Sequence, residues 1–116
     1  MKPIEFYGFY RNKKMKYIYY IDGEKFLTDI RKLIPWDVIS SPNENTPAYE
    51  DINTGSKAWC EKGQILHRLT GPARIMVDGT CQFYLNGKYY ENIHDWLKDH
   101  PNQDNTFQVE MLLKYS

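Results

Sequence analysis

Three dipeptides, Asp22-Gly23, Asp78-Gly79 and Asn86-Gly87, constrain what this chain can fold into more than any other feature. Each stands between short runs of aromatic or β-branched residues. A two-residue type I′ turn needs positive φ at both central positions, which Gly adopts freely and Asn or Asp tolerates, so the pattern predicts tight antiparallel hairpins. The two later dipeptides lie in Trp59–Gly87 (WCEKGQILHRLTGPARIMVDGTCQFYLNG), which also holds Trp-x-x-x-Gly and His67-Arg68-x-x-Gly71-Pro72-Ala73. That segment reads as a β-meander with a sharp reversal at Gly71-Pro72.

A two-residue turn also dictates register. Across Asp22-Gly23 it sets Ile21 opposite Glu24, Tyr20 opposite Lys25 and Tyr19 opposite Phe26; across Asn86-Gly87 it sets Phe83 opposite Tyr90. A short helix is expected after each hairpin. Thr28 would cap the first, bearing Ile30, Leu33 and Ile34 and stopping at Pro35. Asn92 would cap the second, with Ile93, Trp96, Leu97 and His100 on one face and Pro101 ending it. Residues 16–35 therefore resemble 80–101 as an internal repeat of hairpin plus short helix. Residues 4–10 (IEFYGFY) read as a further strand and 40–54 (SSPNENTPAYEDINT) as a loop. Residues 107–115 alternate like a strand but have a helical composition, and helix is preferred. The expected architecture is a single α+β domain over 1–116: a small antiparallel β-hairpin meander with short helices packed after the hairpins.

Composition narrows function mainly by exclusion. Fifteen basic residues balance fifteen acidic ones, so net charge gives no reason to expect nucleic acid, an anionic membrane or a polyanionic substrate. The start, MKPIEFYGFY, lacks the apolar core of a secretory signal, and no run is long enough to span a bilayer, so a cytoplasmic location is expected. Cys60 and Cys81 are too few for a disulfide framework and have no zinc-ligand spacing; two buried thiols in a reducing compartment are expected. His94, Asp95, Asp99 and His100 do not converge on one helix face, so they read as caps and solvated surface. No Gly-rich phosphate loop, His-Glu-x-x-His helix or nucleophile elbow occurs. The expectation is a protein without catalytic residues, cofactor or metal.

Trp59, Gly63, His67, Arg68, Gly71, Pro72, Ala73, Gly79, Tyr84, Asn86 and Gly87 together resemble a repeat family of phages, giant viruses and some bacteria, akin to the β-hairpin MORN repeats. The motif covers about a quarter of the chain, and only one full unit is present, which excludes a long solenoid. Members place an acid just before Gly-Pro-Ala, where this chain has Leu69-Thr70, and there is one extra residue between Gly63 and His67. The resemblance implies a β-meander, a viral or mobile-element origin and a non-enzymatic binding role.

Ten tyrosines make the remaining clue, because adjacent pairs such as Tyr19/Tyr20 and Tyr89/Tyr90 must send one ring to each side of a sheet. Rigid amphipathic rings suit partner-binding surfaces. The leading expectation is a small viral or phage accessory protein that occupies a host or viral protein partner in the host cytoplasm. Inhibition of a host defence factor is one form of this. Tyr19, Tyr20, Arg68, Tyr84 and Tyr89 are the expected contacts. A second reading has Arg68, Arg74 and aromatic rings sequester a small anion or nucleotide. A third has the basic loop Arg11, Lys13, Lys14 and Lys16, beside Tyr10 and Tyr17, bind nucleic acid.

Overall fold

The computed structural model describes residues 15–115; the expected strand 4–10 and the basic residues Arg11, Lys13 and Lys14 lie outside them. Asp22 (φ 49°) with Gly23 (φ 81°), and Asn86 (φ 50°) with Gly87 (φ 85°), occupy the left-handed region that a type I′ turn requires. The strands they join pair in the register the turns dictate. β1 (Tyr17–Ile21) meets β2 (Glu24–Thr28) with Tyr19 opposite Phe26, and β8 (Cys81–Leu85) meets β9 (Lys88–Tyr90) with Phe83 opposite Tyr90.

Between the hairpins run β3 (Tyr49–Asp51), β4 (Lys57–Ala58) and β7 (Arg74–Ile75), giving, among the described residues, a seven-stranded antiparallel sheet of order β2-β1-β3-β4-β7-β8-β9. β5 (Cys60–Glu61) and β6 (Ile65–Leu66) form a separate two-stranded sheet. Strand directions alternate across the large sheet, so β1 and β8 run the same way on opposite sides of β4. A two-fold axis along β4 is the operation that exchanges the two hairpins, and such an axis interchanges the faces of the sheet.

The cores obey this. Directly opposed residues share a face, so the rungs Phe26–Tyr19–Tyr49–Ala58–Arg74–Gln82 mark one side, and Phe83, next after Gln82, points to the other. On the first face Tyr19, Tyr49, Ile34, Ile39, Ala48 and Cys60 form one buried cluster. On the second, Phe83, Leu85 and Tyr90 pack under Ile93, Trp96, Leu97 and Met111 from two helices. These are α1 (Ile93–Asp99) and α2 (Asn105–Tyr115).

Helix ends follow their caps. Asn92 accepts the Asp95 amide at 2.9 Å and opens α1. Asp104 accepts the Thr106 and Phe107 amides and opens α2, which makes 107–115 helical. No helix among the described residues is long and apolar enough to cross a membrane.

Five expectations are corrected. The helix after β2 is a single 3-10 turn, Arg31–Leu33; Pro35 forces Ile34 extended (ψ 122°), leaving no length for an α-helix, and Leu33 is exposed. Thr28 ends β2, and its hydroxyl accepts the Ile30 amide instead of capping a helix. Asp78-Gly79 is not a two-residue turn. The Asp78 carboxylate accepts the Thr80 amide and Met76 N–H donates to Thr80, so the connection spans Met76–Thr80. The stretch 40–54 is no plain loop, since Tyr49–Asp51 is an inner strand, and Cys81 is exposed although Cys60 is buried.

Candidate functional site

The His67-Arg68-x-x-Gly71-Pro72-Ala73 motif forms an excursion out of a single strand position. Arg68 N–H donates to Tyr84 O and Ala73 N–H donates to Gln82 O, so both segments line the same side of β8 while residues 69–72 loop away. Leaving a sheet strands backbone polar groups, and each needs a new partner when water is excluded. Side chains from distant elements supply them. One Glu44 carboxylate oxygen accepts the Leu69 amide (2.8 Å), the Thr70 amide (3.0 Å) and the Thr70 hydroxyl (3.0 Å). His100 Nε2–H donates to Leu69 O at 2.7 Å, while its Nδ1 accepts the Asn102 amide. Tyr115 Oη donates to Thr70 O at 3.5 Å, and Arg68 Nη1 donates to Pro72 O at 3.2 Å.

Arg68 is the centre of this hub. Its guanidinium lies 3.8 Å from the Trp59 ring centroid, and its Nε–H donates to Glu44 O at 2.9 Å. Burial lowers its pKa from the ordinary value, with Tyr115 and Glu44 acting in the opposite direction. Gly71 is needed for closeness, since a Cβ there would sit 2.6 Å from Tyr115 Oη and 3.0 Å from Arg68 Nη1. His67 Nδ1 accepts the Asn86 amide at 2.8 Å and so locks the excursion to the β8–β9 turn. The carboxylate that serves the backbone just before Gly71-Pro72-Ala73 thus comes from Glu44, twenty-five residues before Leu69. No sequence signal marks Glu44, Tyr115 or His100 for that task.

The expected partner contacts do not form one surface. Arg68 is buried, 9% exposed, with its donors directed at main-chain oxygens of the same fold. Tyr19 is 7% exposed and stacks on Phe26 at 5.4 Å, so it belongs to the core. Tyr20 follows Tyr19 onto the opposite face and is half-buried. Tyr84 and Tyr89 face each other across β8 and β9 on the Tyr19 side, with centroids 5.3 Å apart, and Tyr89 is 47% exposed. The two-fold relation is the reason: equivalent tyrosines of the two hairpins emerge on opposite faces.

Arg74 is exposed and lines a groove on the Tyr19 face. Arg68 is absent from that groove, so the pairing expected for an anion site is not made. Lys16 is exposed just before β1, and Tyr17 stacks on Tyr49 at 6.2 Å. Among the described residues no group of three His, Cys, Asp or Glu is placed to hold a metal ion. The Cys60 thiol is pushed up to about 11, first by burial and then by Glu61. No protein-family model, curated protein or solved structure matches this chain.

Proposed function

We propose that this chain is a small, non-enzymatic binding protein that occupies a protein partner through the Tyr84–Tyr89 end of its sheet. The observation that carries the reading is the exposed Tyr89 ring, held against Tyr84 on a strand that closes the described sheet. A ring already fixed by its neighbour loses little conformational freedom on contact, and Tyr adds a hydroxyl to an apolar face. Ile65, 40% exposed, lies against Gly87 of the same turn and extends the apolar area. The resemblance of Trp59–Gly87 to the phage and giant-virus repeat family supports an accessory role in an infected cell, with inhibition of a host factor as one form. Acting there requires the host cytoplasm.

The test compares immobilised wild type with a Tyr84→Ala/Tyr89→Ala variant of unchanged melting temperature in lysate of the native host. A protein retained by the first and lost by the second supports the reading. Equal retention by both, or none by either, overturns it.

A further inference from the structure

We infer that the groove on the Tyr19 face is a binding site for a nucleotide-sized phosphate ester bearing a planar base. The inference rests on the groove alone, not on the tyrosine end of the sheet. Its volume is about 570 Å³, within the roughly 300–1,000 Å³ typical of small-molecule sites. The floor is the rung Tyr49–Ala58–Arg74, three opposed residues on adjacent strands. One wall is the segment after β2, carrying Arg31 and Trp36, and the other is the β5–β6 hairpin, contributing Cys60, Gln64 and Leu66.

Three features select the ligand. First, the aromatic surface is organised: Trp36 and Tyr49 lie 4.9 Å apart, and the Arg31 guanidinium sits 4.7 Å from the Trp36 centroid. A delocalised cation backed by π-faces is a platform for a planar ring. Second, Arg31 and Arg74 are both exposed, and among the described residues neither has a carboxylate partner. Arg74 rises from the floor and Arg31 from the wall, so an anion between them gains charge-assisted hydrogen bonds from either side. Lys57 also borders the groove and adds to its positive charge, although register pairs it with Ile75 instead of with the floor residues.

Third, Asp51 supplies an acceptor. Its Oδ1 takes the Asn53 and Thr54 amides, and among the described residues no hydrogen bond reaches Oδ2. A bare carboxylate would be a poor neighbour for a simple anion. It suits a ligand that carries hydroxyl donors beside its phosphate, as a ribose does. Apolar Ile39, Met76 and Val77 complete the lining.

The test titrates the full chain with AMP, GMP, CMP and UMP, following both melting temperature and amide NMR shifts. Adenosine and inorganic phosphate are the comparison probes. A saturable rise in melting temperature with at least one nucleotide is expected, since a ligand that binds only the folded state stabilises it by RT ln(1 + [L]/Kd). Shifts should centre on Trp36, Tyr49 and Arg74. Adenosine or phosphate alone should bind at least tenfold more weakly. Arg74→Gln and Arg31→Gln, both at exposed positions, should each weaken binding about tenfold, roughly the loss of one charge-assisted hydrogen bond. Tyr89→Ala should leave binding unchanged, which separates this site from the partner surface. No saturation by any of the four nucleotides up to about 5 mM overturns the inference. So does undiminished binding by both arginine variants.

Discussion

Replacing Glu44 by Ala removes the acceptor of three hydrogen bonds at once while touching no strand. The Leu69 and Thr70 amides and the Thr70 hydroxyl would be left facing a half-buried space. An unsatisfied buried donor costs about 1–3 kcal/mol. The hydroxyl can rotate, and partial exposure lets water reach part of the site, so the two amides at the low end of that range give about 2–3 kcal/mol. For a chain of this size a urea m-value of about 1.5 kcal/mol per molar is reasonable, and the unfolding midpoint should fall by about 1.3–2 M. Glu44→Gln keeps an oxygen acceptor and loses only charge assistance, so it should cost about 1 kcal/mol. Urea melts of the three proteins give the stabilities, and amide hydrogen exchange gives the location. Protection of Leu69 and Thr70 should drop well beyond the global change in Glu44→Ala. If Glu44→Ala lies within about 0.5 kcal/mol of wild type and both amides stay protected, the excursion is held by something other than this carboxylate.

Arg68→Lys cannot reproduce donation to both Glu44 O and Pro72 O over the Trp59 ring, so it should lower stability by about 2 kcal/mol despite keeping the charge, read from urea melts. At pH 8 a disulfide reagent should modify exposed Cys81 within minutes and spare Cys60 until urea is added. Because the Cys60 thiol is raised in the folded state, its contribution is complete below the unfolded value near 9 and is lost as pH climbs toward about 11; Cys60→Ala should flatten that alkaline fall by about 2–3 kcal/mol. The Asp99 carboxyl is held below its ordinary range, first by the Tyr90 hydroxyl and then by Lys88. Tyr90→Phe should raise it in an NMR titration, and the acid-side loss of stability, which sets in as pH falls through the folded value, should shrink.

What could be read from the sequence was local. The hairpins at Asp22-Gly23 and Asn86-Gly87 declare themselves because two residues set both turn and register. The Asn92 cap declares α1 because its partner is only three residues away. Asp78-Gly79 carries the same letters as Asp22-Gly23 but closes a longer connection, since Asp78 uses its carboxylate on Thr80. Tyr49–Asp51 hid in a polar stretch: three residues are too few to show alternation, and two of them are acidic. Strand order was out of reach for a different reason. It depends on pairings such as β1 with β3 and β4 with β7 that no short-range rule specifies. The candidate contacts inherited that gap, because only the order reveals that Tyr20 and Tyr84 emerge on opposite faces. The groove is likewise assembled from Arg31, Tyr49, Cys60 and Arg74, which no spacing connects.

The two-fold relation along β4 leaves the side chains of Tyr19 and Phe83 with a wall of peptide groups between them, four strands apart, or about 19 Å at usual spacing. Damage on one side therefore has no path through the sheet; the contact that remains runs around it, from Phe83 by way of Tyr115 to the 68–72 excursion. Truncations at the two positions should have independent energetic costs that simply sum. Such a layout is forgiving: one half of the molecule can drift in side-chain volume over generations while the other keeps its own jigsaw intact.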